Sequence, residues 1–275
     1  MLQYSRFSRI LLLLVLCLIA SNVRGDDQQD AGHLLQSKIQ GKIFTLKTFD
    51  RSDRLYFKSD GTLVGGRGLG PWTLYANVEV SEVLIHGDRL EIQGNRIFMR
   101  YDDKRKELVG ARASKVSIEI EIEPNDLSSA ALGKPLRAVF LAPGEKLADR
   151  VPSYWRQFLE TGVDTKSLDE IQSAFGKKSE KPPKSADYDI PPKEISAPSP
   201  DFSDEARRVR FQGSVLLSLI VNEEGKTENI VILKPLGMGL DEKAVETVQN
   251  WKFKPAMREG VPASVKIKLQ ITFRM

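Results

Sequence analysis

The tightest constraint on the fold lies in the last eleven residues, Val265 to Met275. Val265, Ile267, Leu269, Ile271 and Phe273 alternate without a lapse with Lys266, Lys268, Gln270, Thr272 and Arg274. A period of two is the signature of a strand with one buried and one wet face. A strand that is polar on one side belongs to an antiparallel sheet rather than to a parallel sheet covered on both faces.

Working backwards, Gly213–Asn222 and Asn229–Lys234 read as two more strands, joined through Glu223-Glu224-Gly225-Lys226, a short hairpin connection containing glycine. Between them and the last strand, Leu240, Ala244, Val245, Val248 and Trp251 share one helical stripe. Asp241 and Glu242 suit the positive helix N-terminus, and Pro255 stops the run. The order strand, strand, helix, strand makes the last strand antiparallel to the first, able to pair beside it and then to lie on an edge. Edge strands offer unpaired N–H and C=O groups, so they are either guarded by charge or used for docking. Lys266, Lys268 and Arg274 are compatible with both.

An ordered set of residues carries a resemblance. Phe202, Ala206-Arg207, Gly213-Ser214-Val215, Gly225-Lys226, Pro235-Leu236-Gly237, Leu240-Asp241, Ala244, Trp251 through Ala256, Gly260-Val261-Pro262 and Phe273 together resemble the TonB C-terminal domain family over about Pro191 to Met275, a third of the chain. Phe202-Ser203 and Lys243-Ala244 stand where that family usually has Tyr-Pro and a double alanine. The resemblance implies a periplasmic module that adds the short peptide of an outer-membrane TonB-dependent receptor, or a similar envelope protein, to its edge strand. The partner-binding residues would then be Val265, Lys266, Ile267, Lys268, Leu269, Gln270, Ile271, Thr272 and Phe273, with Phe202 beside them. An energy transducer of this kind also couples to an inner-membrane motor.

The chain of 275 residues has room for two domains. Met1–Gly25 has the three parts of a secretory signal: Arg6 and Arg9, the apolar Ile10–Ala20, and Val23-Arg24-Gly25 at cleavage spacing. The fourteen uncharged residues between Arg9 and Arg24 are short of the ~20 that a spanning helix needs, which favours cleavage over an uncleaved inner-membrane anchor. Cleavage removes three arginines and no acid, so the formal charge falls from +4 to +1 and nucleic-acid binding by a general basic field is not expected. It also removes Cys17, the single cysteine, and with it any disulfide or thiolate metal site.

Residues 26–175 are expected to form a mainly antiparallel β roll or barrel with short helices. Its candidate strands are Ile43–Lys47, Leu55–Lys58, Trp72–Asn77, Val78–His86, Arg89–Arg100 and Lys115–Glu123, with turns at Ser59-Asp60-Gly61, His86-Gly87-Asp88 and Asp102-Asp103-Lys104. Short helices over Asp126–Leu132, Pro152–Glu160 and Ser167–Phe175 are expected to cover it. Residues 176–200, rich in proline and lysine, read as an extended linker with a reach of at most roughly 80 Å at ~3.1 Å per residue. Residues 201–275 form the α+β C-terminal domain.

No constellation points to catalysis. Gly65-Gly66-Arg67-Gly68-Leu69-Gly70 has the wrong spacing for a dinucleotide fingerprint, and a strand starting near Trp72 is expected to follow where a helix N-terminus would be needed, although Arg67 could touch an anion. Glu119, Glu121 and Glu123 alternate with Ile118, Ile120 and Ile122 as the solvated side of a strand. His33, in an N-terminal tail, and His86, in a turn, have no second ligand at metal spacing. Trp72 and Trp155 suit cores. The reading is a non-enzymatic protein without metal or cofactor that docks an extended peptide, with a soluble periplasmic ligand-binding or scaffold protein as the alternative.

Overall fold

The computed structural model describes residues 2–3, 27–162 and 188–275. Most of the signal segment, the expected helix Ser167–Phe175 and the first part of the expected linker lie outside them. The chain divides into two compact units, Met1–Arg150 and Val151–Met275.

In the first unit, β1 (Leu2–Gln3) pairs with Val109 and Gly110, and α1 (Asp27–Ile39) follows. Then come β2 (Ile43–Thr45), β3 (Arg54–Phe57), β4 (Leu63–Val64), α2 (Trp72–Tyr75), β5 (Asn77–His86), β6 (Arg89–Asp102), β7 (Glu107–Glu121) and α3 (Ser129–Val139). The sheet runs β2-β5-β6-β7-β3-β4, with β1 beside β7. All its pairs are antiparallel except β3–β7, and among the described residues β2 and β4 do not pair to close a barrel. The apolar positions of these strands converge on one core. Leu90 and Ile92 lie opposite Ile120 and Ile118, with Leu35 and Ile39 from α1 and Leu132, Leu136 and Val139 from α3 added to them. Burial of this kind stabilises by about 1.5–3 kcal/mol per large aliphatic side chain.

Four expectations need correction here. Trp72–Tyr75 is a helical turn, because Trp72, Thr73 and Leu74 are all buried, which an alternating strand does not allow. The last long strand begins at Glu107 rather than Lys115, since the turn at Asp102 is held by Asp102 Oδ1 accepting from the amides of Lys104 and Arg105, and the chain pairs again at once. His33 lies on α1, whose Leu35 and Ile39 bury in the core, and not in a loose tail. The helix expected to end before Gly133 runs on through Pro135 to Val139, capped by Ser128 Oγ accepting from the Ala131 amide. Pro135 lies inside this helix, where it removes one i→i−4 hydrogen bond.

The second unit opens with a 3-10 turn, Ser153–Trp155, and α4 (Arg156–Thr161). Both pack on β10 (Thr227–Lys234). The segment expected to cover the β domain therefore belongs to this unit. Its apolar stripe shows that one face is buried without specifying against what. Next come β8 (Lys193–Ser196), α5 (Asp204–Arg208) and β9 (Gly213–Val221), followed after β10 by α6 (Leu240–Gln249). The unit ends in β11 (Lys252–Lys254), β12 (Ala256–Arg258), β13 (Val261–Ala263) and β14 (Val265–Phe273).

The main sheet has the order β10-β9-β14 with both pairs antiparallel, as the sequence implies. The inward stripe of α6, Leu240, Ala244, Val245 and Val248, is buried, whereas Trp251 falls beyond the helix and donates from Nε1 to the Pro198 carbonyl. The linker reading fails for its last part. Ile190 bridges to Met257, and β8 pairs antiparallel with β11. Between Pro192 and Pro198 lie residues that all carry an amide, enough for one short ladder.

Candidate peptide-docking edge

The register around β9 fixes which backbone groups of β14 face β9 and which face the other way. At the β9–β10 turn, the Asn222 amide donates to the Lys226 carbonyl and the Gly225 amide to the Asn222 carbonyl. Asn222 thus directs its backbone towards β10, and by alternation Val221, Leu219, Leu217, Val215 and Gly213 direct theirs towards β14. The β9–β14 register runs without a bulge from Val265 opposite Val221 to Phe273 opposite Gly213. Val265, Ile267, Leu269, Ile271 and Phe273 therefore spend their N–H and C=O groups on β9. Lys266, Lys268, Gln270 and Thr272 point theirs away from β9, where no strand pairs with β14 among the described residues.

Side chains divide the same way. Val265, Ile271 and Phe273 are buried and Ile267 and Leu269 are half-buried, while Lys266, Lys268 and Gln270 are exposed and Thr272 is half-buried. Of the nine strand residues expected at a binding site, four offer the edge both backbone and side chain. The other five hold the strand in place. Sequence periodicity alone could not make this division, because the direction of the amides depends on the hairpin geometry of a different strand pair.

The turn that sets this geometry depends on Gly225. Its φ is +77°, and a Cβ placed there would collide with the Phe253 carbonyl oxygen. The Phe253 amide in turn donates to the Gly225 carbonyl, which ties the hairpin to β11.

Phe202 reaches the far end of the same strand. Its ring meets that of Phe273 edge-on at 5.4 Å, and Ser203, the N-cap of α5, donates from Oγ to the Met238 carbonyl and accepts from the Ala206 amide. With Ser199, Pro200, Thr272 and Arg274, the two phenylalanines line a groove of about 420 Å³. The expected Phe202 contact is thus placed at the edge, through a capped helix start that holds the loop before it.

A buried acidic corner anchors the opposite side of the sheet. Asp241 accepts from the amides of Leu236 and Gly237, both at 2.7 Å, and so fixes the passage from β10 to α6. Trp155, fully buried, donates from Nε1 to Glu242 Oε1 at 2.8 Å, whereas Glu242 Oε2 is enclosed without a hydrogen-bond partner. Burial pushes both carboxyls up, Asp241 against the two amides that favour its charge, and Glu242 further through the neighbouring Asp241.

The alternatives in the first unit give no site. The Gly65–Gly70 loop is folded onto an internal anion, with Asp50 Oδ1 accepting from the Arg67 amide and Oδ2 from the Gly68 amide. Burial alone would raise the Asp50 carboxyl, but hydrogen bonds from Ser52, Arg67 and Gly68 hold it below the ordinary range. Arg96, buried beneath, donates to the carbonyls of Tyr75, Asp50 and Ser52, and desolvation lowers its guanidinium to about 10. The loop amides that would cradle a phosphate are already used. Glu119 pairs with Arg89 at 2.7 Å on the solvated strand face, and both histidines are exposed. Among the described residues there is no group of three or more His, Cys, Asp or Glu placed to hold a metal, and no helix long and apolar enough to cross a membrane.

Comparison with known proteins converges on the second unit. The family described as Gram-negative bacterial TonB protein C-terminal matches residues 198–275. Protein TonB of Vibrio cholerae is 29% identical over 77 residues, which make up 28% of this chain and 32% of that protein, so the chain spans about a third of the relative's length. The solution NMR structure of the Pseudomonas aeruginosa TonB CTD, 16% identical, covers 33% of this chain and 89% of its own, with a TM-score of 0.27. From the ordered motifs, the strand, strand, helix, strand arrangement and the family match, residues 198–275 are a TonB C-terminal domain.

Proposed function

We propose that this is an exported, non-enzymatic docking protein whose TonB C-terminal domain adds an extended peptide of an outer-membrane receptor to the open edge of β14, in energy-coupled transport across the outer membrane. The observation that carries the reading is the open ladder. Among the described residues β14 pairs with β9 alone, and Lys266, Gln270 and Thr272 direct main-chain donors and acceptors to its other side. Main-chain pairing supplies affinity in strand addition, and the alternate side chains supply selectivity. The short apolar run at Met1–Gly25 supports release into the periplasm.

Cross-linking in the native cell tests it. Cys17 is the only cysteine, so Lys268→Cys places a single thiol in residues 26–275. It is expected to cross-link to the periplasmic N-terminal segment of an outer-membrane receptor carrying cysteines at successive positions, strongest at every second one. Equal capture at Lys268→Cys and at a cysteine on the exposed part of α1, or none at either, contradicts the reading.

A further inference from the structure

The 3-10 turn Ser153–Trp155 and α4 form a short strap on β10, the strand at the other end of the sheet from β14. Val151, Trp155 and Phe158 are buried, and the rings of Trp155 and Phe158 meet edge-on at 5.9 Å. The strap is tied to α6 where Trp155 Nε1 donates to Glu242 Oε1 at 2.8 Å. The second carboxyl oxygen, Glu242 Oε2, is enclosed and has no hydrogen-bond partner among the described residues. An ionised carboxyl in such a place is an unpaired buried charge, whereas a protonated one leaves only an O–H unmatched, which costs far less.

The groups around Glu242 do not neutralise that charge. Asp241 precedes it on α6 and, with two amides donating to it, is the better placed of the two to stay ionised. From the strap, Tyr154 faces both carboxyls, and burial first and then Glu242 and Asp241 push its phenol up. Lys243 of α6 is taken by Glu246 at 3.0 Å, Arg156 and Glu160 of α4 are exposed, Lys234 of β10 is half-buried, and β9 carries no charged residue. Among the described residues no cation pairs with Glu242.

We propose that Glu242 is a proton-operated latch: protonated, it holds Val151–Thr161 on β10 and α6, and ionised, it releases the strap, because its carboxylate then regains water. Release uncovers β10 and leaves the ladder between β9 and β14 in place. Docking raises the carboxyl above its ordinary value of 4.5, so the strap is held most firmly below that pH. Its docking constant falls as pH rises, by up to about tenfold per pH unit, until the docked carboxyl itself ionises.

Fluorine NMR of the full chain labelled with fluorotryptophan tests the latch. Trp72, Trp155 and Trp251 each give a resonance, and Trp155→Phe identifies that of Trp155. Spectra are taken from the ordinary glutamate value to about pH 9, with and without a soluble gadolinium chelate that broadens exposed indoles. The Trp155 signal is expected to be shielded from the chelate at the acid end, then to shift and broaden as pH rises, while Trp72 and Trp251 hold their positions. Glu242→Gln keeps an acceptor for the indole and cannot ionise, so it should hold Trp155 in its low-pH position throughout.

A wild-type Trp155 signal that stays in place and shielded over the whole range overturns the latch, whatever the variant does. A signal that moves equally in wild type and Glu242→Gln overturns it too, by placing the titration on another group. Trp251 moving together with Trp155 would mean unfolding of the whole unit rather than release of a strap, and contradicts the proposal as well.

Discussion

Proline substitutions on β14 separate the two edges of one strand. An antiparallel peptide paired along Lys266–Thr272 meets four outward-facing residues, each with one N–H and one C=O. Lys268→Pro deletes one outward donor and leaves every hydrogen bond to β9 intact, at a position where an edge strand tolerates proline. One net hydrogen bond is worth about 0.5–1.5 kcal/mol, so the peptide Kd should rise about two- to twelvefold, and melting of the second unit should change little. Leu269→Pro, one residue on, deletes the inward donor opposite Leu217 and replaces a half-buried leucine. Losing the ladder bond, leaving a buried carbonyl unpaired and removing apolar area together should cost about 3 kcal/mol or more, a large share of the ~5–15 kcal/mol that holds a domain together. Thermal melts by circular dichroism, with anisotropy at matched temperature, read both effects. If Lys268→Pro melts like Leu269→Pro, the assignment of outward and inward amides is wrong. If it stays folded and binds like wild type, the peptide docks elsewhere.

Other positions give independent checks. Gly225→Ala forces a side chain into a left-handed turn and against the Phe253 carbonyl, so the second unit should lose at least about 2 kcal/mol in urea denaturation; an unchanged midpoint would show that the hairpin relaxes freely. Arg96→Met leaves the Tyr75, Asp50 and Ser52 carbonyls without their shared donor and should destabilise the first unit by about 3 kcal/mol, leaving the melting of the second unchanged. Glu242 has a folded-state pKa raised above its unfolded value, so the folded state holds its proton more tightly and the associated stability is full below the ordinary glutamate value of 4.5 and is lost as pH rises above it. Glu242→Gln should flatten that loss in denaturation curves taken from pH 4.5 upward, and an unchanged slope would locate the titration at another group.

The C-terminal half was legible because its constraints are local or strictly periodic. Alternation over Val265–Phe273, a four-residue turn with Gly225 and one amphipathic stripe determine three strands, a helix and their order. What stayed hidden depends on contacts distant in sequence. β8 looks like linker because its partner, β11, lies more than fifty residues on and both are short. The Val151–Thr161 segment shows an apolar stripe, but its acceptor, Glu242, is 87 residues from Trp155. In the first unit Trp72–Tyr75 mimics a strand because aromatic and β-branched residues favour strands, yet complete burial selects a helical turn. The role of the Gly65–Gly70 loop rests on the single carboxylate of Asp50, which no local spacing announces. At the site itself, the sequence identifies the strand and its wet face, and the hairpin hydrogen bonds are needed to tell which amides face away from β9.

The most direct test of the edge as the docking surface is residue-resolved amide hydrogen exchange by NMR, with and without a receptor-derived peptide. The account predicts that the amides of Lys266, Gln270 and Thr272 exchange fast in the free protein and become protected on binding. Those of Ile267, Leu269 and Ile271 should be protected in both states. Binding that leaves these outward amides fast, or that protects β10 or the Phe202 loop in their place, would contradict it.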